Sequence, residues 1–454
     1  MPEAAISAPL VILGGGVTGL TAAYLAARAG HSVVVLEGAA EAGGLLSTFP
    51  VGGTRLEHYY HHFFTHDAEL RWLIGELGLT DKLRFQPATM GIFRNGGLHP
   101  FNGPLDLLRF PPLSLPARLR FGASSWFLGK FAHWRRREDT PALEWFYRYA
   151  GRAATDAIWR PMLEVKFGPY ADRVPIAWMV GRLRQRMCSR EAGDQRLGYL
   201  EGSLQVLLDA LLARLHSLGV HIVTGAHITE LELRQGSLAA VRTTAGEFSG
   251  NRFLATIPTA HLAPLLQEVR PDYAATLGRI EYFGAVCTVL ELHRPLSSTY
   301  WLNVADPGFP FGGVIEHTNL IPPSTYGGRH LAYLSRYFEN TNPLASAPRE
   351  VIARDMIAPL PRLFPQFRRA DIAAVRVFRT STAATVCDLR FSEKVPSART
   401  PIPNLFLGAM AHIYPDERSC NNSIRVAAEV CRVMGLDTAP VPRGPSLSAL
   451  IGME

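Results

Sequence analysis

At 454 residues, with 47% hydrophobic and 19% charged side chains, the chain carries enough apolar mass for a large core in two or three structural domains, and this excludes a largely disordered protein. The formal net charge of +7 comes almost wholly from arginine. It suits a membrane surface or an anionic substrate, and no nucleic-acid partner is expected from it. Five cysteines, odd in number and scattered, exclude a disulfide framework and lead us to expect a cytoplasmic protein. The uncharged stretch 8–27 lacks a preceding Lys or Arg and is broken by glycines, so it does not read as a signal peptide; no other uncharged run approaches membrane-spanning length.

In chain order, residues 10–13 predict a buried strand, 18–29 a helix stopped by Gly30, and 32–36 a second strand, together a βαβ unit. Residues 68–77 have helical spacing, with Gly78 placed to end the helix. Asn95-Gly96-Gly97, between apolar runs at 90–93 and 98–101, is a hairpin signal. From about 104 to 190 the pattern is helical and rich in Trp, Phe and Arg, with Thr140 expected as an N-cap and Pro141 at the first helical position. Residues 203–218 form an amphipathic helix with Leu204, Leu207, Leu208, Leu211, Leu215 and Leu218 on one face. Strands follow at 220–223, 227–233, 238–243, 253–256, 285–292, around 374–378 and at 404–407. A last helix covers about 422–434, and the Pro- and Ser-rich tail from Thr438 is expected to be loose.

The run Gly14-Gly15-Gly16-Val17-Thr18-Gly19 satisfies G-x-G-x-x-G and sits between the first strand and the first helix. Gly14 permits the tight turn, Gly16 lets a pyrophosphate approach the backbone, and Gly19 lets helix pack on strand. The phosphates would lie on the helix N-terminus, near Val17 and Thr18, where free N–H groups and the dipole favour anions. Glu37 closes the second strand, where a carboxylate can accept from ribose hydroxyls. Strand, glycines, helix, strand and terminal acid together read as a dinucleotide site.

After Glu37 comes Gly-Ala-Ala-Glu-Ala-Gly43-Gly44-Leu45-Leu-Ser47-Thr48. This resembles the flavoprotein superfamily of amine oxidases, protoporphyrinogen oxidases and phytoene-type desaturases, in which the ribose Glu is followed by a Gly-Gly pair, a basic residue, then Ser or Thr. Gly43, Gly44 and Thr48 match; Leu45 stands where Arg or Lys is usual. NAD-only enzymes lack the second glycine pair, so the resemblance implies FAD. Two further segments agree. Gly198-Tyr-Leu-Glu-Gly202-Ser203 resembles the family's Gly-rich helix start, followed by Ile228 on a strand that lies against the adenine. Asn404-Leu-Phe-Leu-Gly408-Ala409-Met410 resembles its terminal strand and flavin-contacting turn. The family's acid is replaced by Met410, so the resemblance implies that ribityl contacts pass to backbone groups or to Asn421, Asn422 and Arg425.

The densest polar-aromatic cluster is 57–66, with four histidines in nine residues from His58 to His66. Its β character gives no metal-ligand spacing, and no metal is expected. In the superfamily this region passes close to the isoalloxazine, and His61, Phe63 and Thr65 resemble a run of UDP-galactopyranose mutases. The resemblance makes His58, Tyr60 and His61 the candidate catalytic residues; histidines bonded to backbone carbonyls are the competing reading. Amine oxidases carry a Lys in a strand resembling 282–287, and none is present here, which argues against a true amine oxidase. The segments around Trp159, Lys166, Tyr300–Asn303, Glu316–Asn319 and Tyr326–Arg329 suit either a substrate cavity or ordinary caps and loops.

The expected fold is α/β: a discontinuous Rossmann-type FAD-binding domain (1–95, 195–260, 400–437), a helical insert (96–194), a sheet-based substrate domain (261–399) and a tail (438–454). The resemblance implies an FAD-dependent oxidoreductase taking hydride from the C–H of a small-molecule, apolar, polycyclic or lipid-linked substrate. In the insert, Arg109, Arg118, Arg120 and Lys130 interleave with Phe110, Phe121, Trp126 and Phe131, which suits peripheral membrane contact. A redox-neutral nucleotide-sugar mutase, a flavin-free binding protein of the same fold like the Rab GDP-dissociation inhibitors, and an NAD-only enzyme are the alternatives.

Overall fold

The computed structural model describes residues 6–191, 194–445 and 452–453. The apolar run at the N-terminus becomes strand β1 (Ile6–Leu13), followed by helix α1 (Val17–Arg28) and strand β2 (Val33–Leu36). β1 pairs in parallel with β2 on one side and with Gly246–Ala255 on the other, and His221–Val223 extends the sheet beyond β2. A strand buried on both faces must be apolar throughout, and Leu10 to Leu13 are each at most 2% exposed. Side chains alternate across the pleat. Leu10 and Ile12 face α1 and the terminal helix Cys420–Val433, whereas Val11 and Leu13 face a second cluster built on Leu231, Phe248 and Leu262. Ala22, Ala23 and Ala26 keep α1 slim enough to sit buried between the terminal helix and Gln205–Ser217. Gly30 adopts a positive φ of 86° and His31 N–H closes on the Ala26 carbonyl, so the expected glycine stop ends the helix.

Gly246–Ala255 is one strand with two partners besides β1, where the sequence pattern predicts only its last few residues. Its first half pairs antiparallel with Ser237–Thr243 and its last residues pair in parallel with Leu405–Leu407. The polar residues Ser249, Asn251 and Arg252 break the apolar signal, and hydrogen bonding to the neighbours overrides it.

A second seven-stranded sheet runs Ile372–Thr385, Tyr282–Leu292, His330–Glu339, Gly313–Glu316, Trp301–Val304, Met90–Arg94, Gly97–Pro100. The Asn95-Gly96 turn forms as expected, both residues at positive φ (54° and 72°), and the Asp306 carboxylate accepts both backbone N–H groups at 2.8 Å. The hairpin therefore belongs to the second sheet, and the expected domain boundary at residue 95 falls inside it. Helices between Pro104 and Cys188 make a separate cluster, packed on Ile92, Tyr282 and Phe283 of the second sheet.

One local expectation is corrected. Thr140 does not cap a helix: the helix is Ala142–Tyr149 and Pro141 holds the cap position, because residues 140–142 run extended against 174–176, with Ala142 N–H on the Val174 carbonyl and Ile176 N–H on the Thr140 carbonyl. The tail expected to be loose has no helix or strand over residues 438–445, and three of its described residues make contacts. Val441 packs on the core, Arg443 pairs with Glu429, and Met453 is buried.

Candidate active site

The glycine turn is built by hydrogen bonding from several strands. Gly14 N–H donates to the Leu36 carbonyl (2.8 Å), and φ of 112° at Gly14 excludes most side chains. A Cβ on Gly19 would lie 2.0 Å from the Gly14 carbonyl oxygen, so the helix–turn packing requires glycine there. A Cβ on Gly16 would meet nothing within 4 Å: it would enter the cavity. The second glycine pair packs on the first, with Gly43 N–H donating to the Gly15 carbonyl (2.8 Å) and the Gly44 Cβ position 3.2 Å from the Gly16 Cα. Gly43 and Gly44 hold φ of 139° and 58°. The Glu37 carboxylate accepts from Gly15 N–H (2.7 Å) and Ala39 N–H (2.8 Å), which fixes it beside the turn with lone pairs to spare.

One cavity of about 1520 Å³ starts here and runs between the two sheets to the helical insert. Of the sequence-predicted residues, Gly14, Gly16, Val17, Thr18, Glu37, Gly43, Gly44, Leu45, His58, Tyr60, His61, Ile228, Gly408 and Met410 line it. Four others do not. Gly19 serves packing. Thr48 is buried, donating to Gln205 Oε1 and accepting from Arg55 Nε. Asn421 Oδ1 accepts from Leu70 N–H, and Asn422 Nδ2 donates to the Glu417 carbonyl. Arg425, the third expected ribityl contact, is locked in a buried ion pair with Glu69. The terminal helix instead lends Ser419, Cys420 and Ser423 to the lining; a turn of helix rotates its start away from Asn421 and Asn422.

Loop 58–62 forms one wall. His58 stacks on Phe378 (ring centroids 4.0 Å apart), and Tyr60 meets Trp301 edge-on at 4.9 Å. His61 Nδ1 donates to the Tyr59 carbonyl at 2.6 Å, leaving Nε2 as the acceptor of a neutral ring. Burial and then the Arg418 charge push His61 down to about 4; burial, Arg186, His61 and Arg182 push His62 down to about 3. Both imidazoles are neutral at physiological pH. Among the described residues no three His, Cys, Asp or Glu side chains converge as metal ligands.

Sequence reasoning named Trp159, Lys166, Trp301 and Asn303 as lining candidates, and all four line the cavity. Glu316 and His317 do not: Glu316 accepts from Leu296 and Ser297 N–H groups, and His317 bonds the Tyr326 hydroxyl. Arg182, Tyr337 and Arg418 were missed, since each lies in an ordinary helix, strand or loop and only the fold brings them together.

Residues 17–417 match the model of the family described as flavin containing amine oxidoreductase. The chain belongs to that family. Among curated relatives, the chloroplastic/chromoplastic 15-cis-phytoene desaturase of Arabidopsis thaliana is 23% identical over 322 residues, 66% of this chain but only 56% of the desaturase's length. The flavin-dependent L-tryptophan oxidase RebO of Lentzea aerocolonigenes is 24% identical, covering 69% of this chain and 71% of its own. Among solved structures, an Exiguobacterium protein assigned as a protoporphyrinogen oxidase superposes with a TM-score of 0.76 at 18% identity, over 96% of this chain and all of its own. Reduced UDP-galactopyranose mutase superposes at 0.73 and 15% identity, over 95% and 96%. These superpositions establish the shared α/β fold.

The cofactor of this flavin oxidoreductase is FAD, and the residues present fit it. The Gly16 cradle is open, the first-turn N–H groups of α1 have no side-chain cap, and Glu37 stands where a ribose would be read. Ile228 and Ala226 line the same end of the cavity, with Ala226 N–H on the Glu37 carbonyl. Leu45 replaces the family's basic residue, so anion binding there rests on the backbone and the helix dipole. Flavin chemistry sets aside the NAD-only and flavin-free readings.

Proposed function

We propose that this flavin oxidoreductase dehydrogenates a large, mainly apolar substrate that enters through the helical insert from a membrane surface. The observation that carries this reading is the continuity of the cavity, which runs from the glycine cradle past loop 58–62 to Phe121, Gly122, Ser125 and Trp126 of helix Leu115–Phe131. FAD would supply the acceptor for hydride from a substrate C–H. The chain's own part is to exclude water and to orient: Ile158, Trp159, Met162, Trp178 and Met179 make the substrate end apolar, and neutral His58, His61 and His62 offer hydrogen bonds without charge. Tyr60, held protonated by burial, can donate. In this reading His58, Tyr60 and His61 line the reacting end.

At the outer end Trp126 both lines the cavity and is 54% exposed, beside exposed Leu105, Leu119 and Phe131. Asp106 is the only acid between Pro104 and Arg137, so this lip is apolar and basic. Among the described residues no helix is long and apolar enough to cross a membrane, so the attachment proposed is peripheral. A flavin-bleaching screen under anaerobic conditions tests the reading. Bleaching by apolar alicyclic or polyene compounds, and not by simple amines, is expected. Turnover of a nucleotide sugar without net oxidation would replace it with the mutase reading.

A further inference from the structure

Four elements bring charge into the substrate end of the cavity. Lys166 comes from helix Arg160–Phe167, Arg182 from helix Ile176–Cys188, Arg418 from the loop before the terminal helix, and Tyr337 from strand His330–Glu339. Their positions are tightly fixed by aromatic rings. The Arg182 guanidinium lies 4.4 Å from the Trp178 ring centre on which Lys166 Nζ also sits at 4.7 Å, and Arg418 donates to the Tyr337 hydroxyl. Among the described residues one carboxylate serves two of them: Glu417 pairs with Arg182 and stands 3.5 Å from Lys166 Nζ. Among the described residues the other carboxylate lining the cavity, Glu37, is at the glycine end.

This charge is under-compensated. Burying cations without partners is costly, and buried charges are normally paired. Here the Arg418 Nε is buried with no hydrogen-bond partner among the described residues. Burial alone would raise the Tyr337 phenol, yet Arg418, Lys166 and Arg182 outweigh it and hold it at about 8.

We propose that Lys166, Arg182 and Arg418 form an oxyanion site, so that the substrate is an amphiphile whose carboxylate or phosphate group docks on these cations while its apolar body lies along Trp159, Met162 and the insert. The inference rests on the reading above that the cavity takes a large apolar substrate, and it names that substrate's polar end. Glu417 bridges Arg182 and Lys166 and is the partner an incoming oxyanion supplements. Bidentate guanidinium contacts favour a planar carboxylate or a phosphate over halide-like ions.

The test is direct binding to the oxidised, FAD-loaded protein, which needs no turnover and so fails or succeeds independently of the bleaching screen. Inorganic pyrophosphate, inorganic phosphate and benzoate are titrated calorimetrically and against the flavin spectrum. Saturable binding is expected, weakened at least tenfold (about 1.4 kcal/mol) in Arg182→Gln and in Arg418→Gln, with FAD content retained and the surface variant Arg376→Gln unchanged. Preference for the phosphates or for benzoate then assigns the head group. Should the two variants fold poorly, Lys166→Gln and the rise in melting temperature of the wild-type holoprotein with added anion carry the same test. No saturable binding of any of the three anions overturns the proposal. So does undiminished binding in the variants accompanied by a shifted flavin spectrum, which would assign these cations to the cofactor.

Discussion

Gly43 donates its backbone N–H to the carbonyl of Gly15, at 2.8 Å, so the two glycine turns form one continuous wall of exposed backbone. Each glycine in that wall is there for its own reason, and substitutions separate the reasons. Gly16→Val adds a side chain where nothing but cavity lies within 4 Å. The variant is expected to fold, its apoprotein melting within about 2 °C of the wild-type apoprotein, and to purify without FAD. Gly19→Val drives a side chain into the Gly14 carbonyl, and its cost of about 3 kcal/mol or more falls on folding itself. Differential scanning fluorimetry with flavin quantitation distinguishes the two; retention of FAD by Gly16→Val contradicts the cradle assignment.

Glu37 carries both a structural and a binding load. Its carboxylate already accepts from Gly15 and Ala39, so Glu37→Ala leaves two N–H groups to water as well as removing the ribose acceptor. Loss of one charged hydrogen bond is worth about 1.5–3 kcal/mol, which weakens FAD about tenfold to a hundredfold. Fluorescence titration of apoprotein with FAD measures it, and wild-type affinity in Glu37→Ala would remove Glu37 from the site.

Arg425 was legible in the sequence as a polar residue near the flavin-contacting turn, but the fold spends it otherwise. Its guanidinium bonds Glu69 and reaches Asp416 at 3.4 Å. Breaking such a buried pair from one side costs about 3–5 kcal/mol, whereas replacing both partners by apolar side chains is far milder. Arg425→Ala is therefore expected to lower stability sharply with unchanged FAD affinity in the folded fraction, and Arg425→Met with Glu69→Leu to recover most of the loss. Chemical denaturation of wild type, Arg425→Ala and the double variant provides the measurement.

What the sequence discloses well is whatever is local. The βαβ start, Gly30 and Gly78 as helix stops, and the Asn95-Gly96 turn all depend on neighbouring residues and hold in the structure. The cation cluster is opaque because Lys166, Arg182 and Arg418 meet through tertiary packing. Asn421 and Asn422 sit at the right point of the chain but on the wrong side of the terminal helix. The long strand Gly246–Ala255 escapes for the same reason, since its polar middle is stabilised by partners on both sides.

His412 links pH to the terminal turn. Its Nδ1 accepts from Ala409 N–H (3.0 Å) and its Nε2 donates to the Pro396 carbonyl (2.9 Å), so the neutral tautomer holds the residues around Met410 in place. Burial pushes the imidazole down to about 4 from 6.5. Between these values the native state binds fewer protons than the unfolded one, so this group's stabilisation is fully present above about pH 6.5 and is lost as pH falls towards 4. The loss amounts to roughly 3 kcal/mol. His412→Gln should flatten the acid side of the stability–pH curve by one proton's worth, about 1.4 kcal/mol per pH unit. An unchanged slope between pH 4 and 6.5 would remove His412 from the acid response.

The insert's attachment to membranes turns on which residues are free to touch lipid. Arg118 and Arg120 interleave with aromatics in the sequence, yet Arg118 Nε donates to the Leu113 carbonyl and Arg120 Nε to the Tyr149 carbonyl, both at 2.7 Å. Reversing those charges would disturb helix packing before it changed any lipid contact. The cleaner probes are Leu105, Leu119, Trp126 and Phe131, all more than half exposed, and the exposed cations Arg109, Lys130, Arg135 and Arg136. A cation near an anionic surface contributes about 1 kcal/mol, screened by salt. A large apolar side chain fully withdrawn from water contributes roughly 1.5–3 kcal/mol, which salt does not remove. Co-sedimentation with anionic vesicles is therefore expected to weaken at high salt without vanishing. The quadruple Ser variant of the apolar set should keep only the salt-sensitive part, and neutral vesicles should bind wild type through the apolar part alone. Wild-type protein that stays wholly in the soluble fraction with anionic vesicles at low salt would make the insert an ordinary lid and leave substrate entry to the aqueous phase.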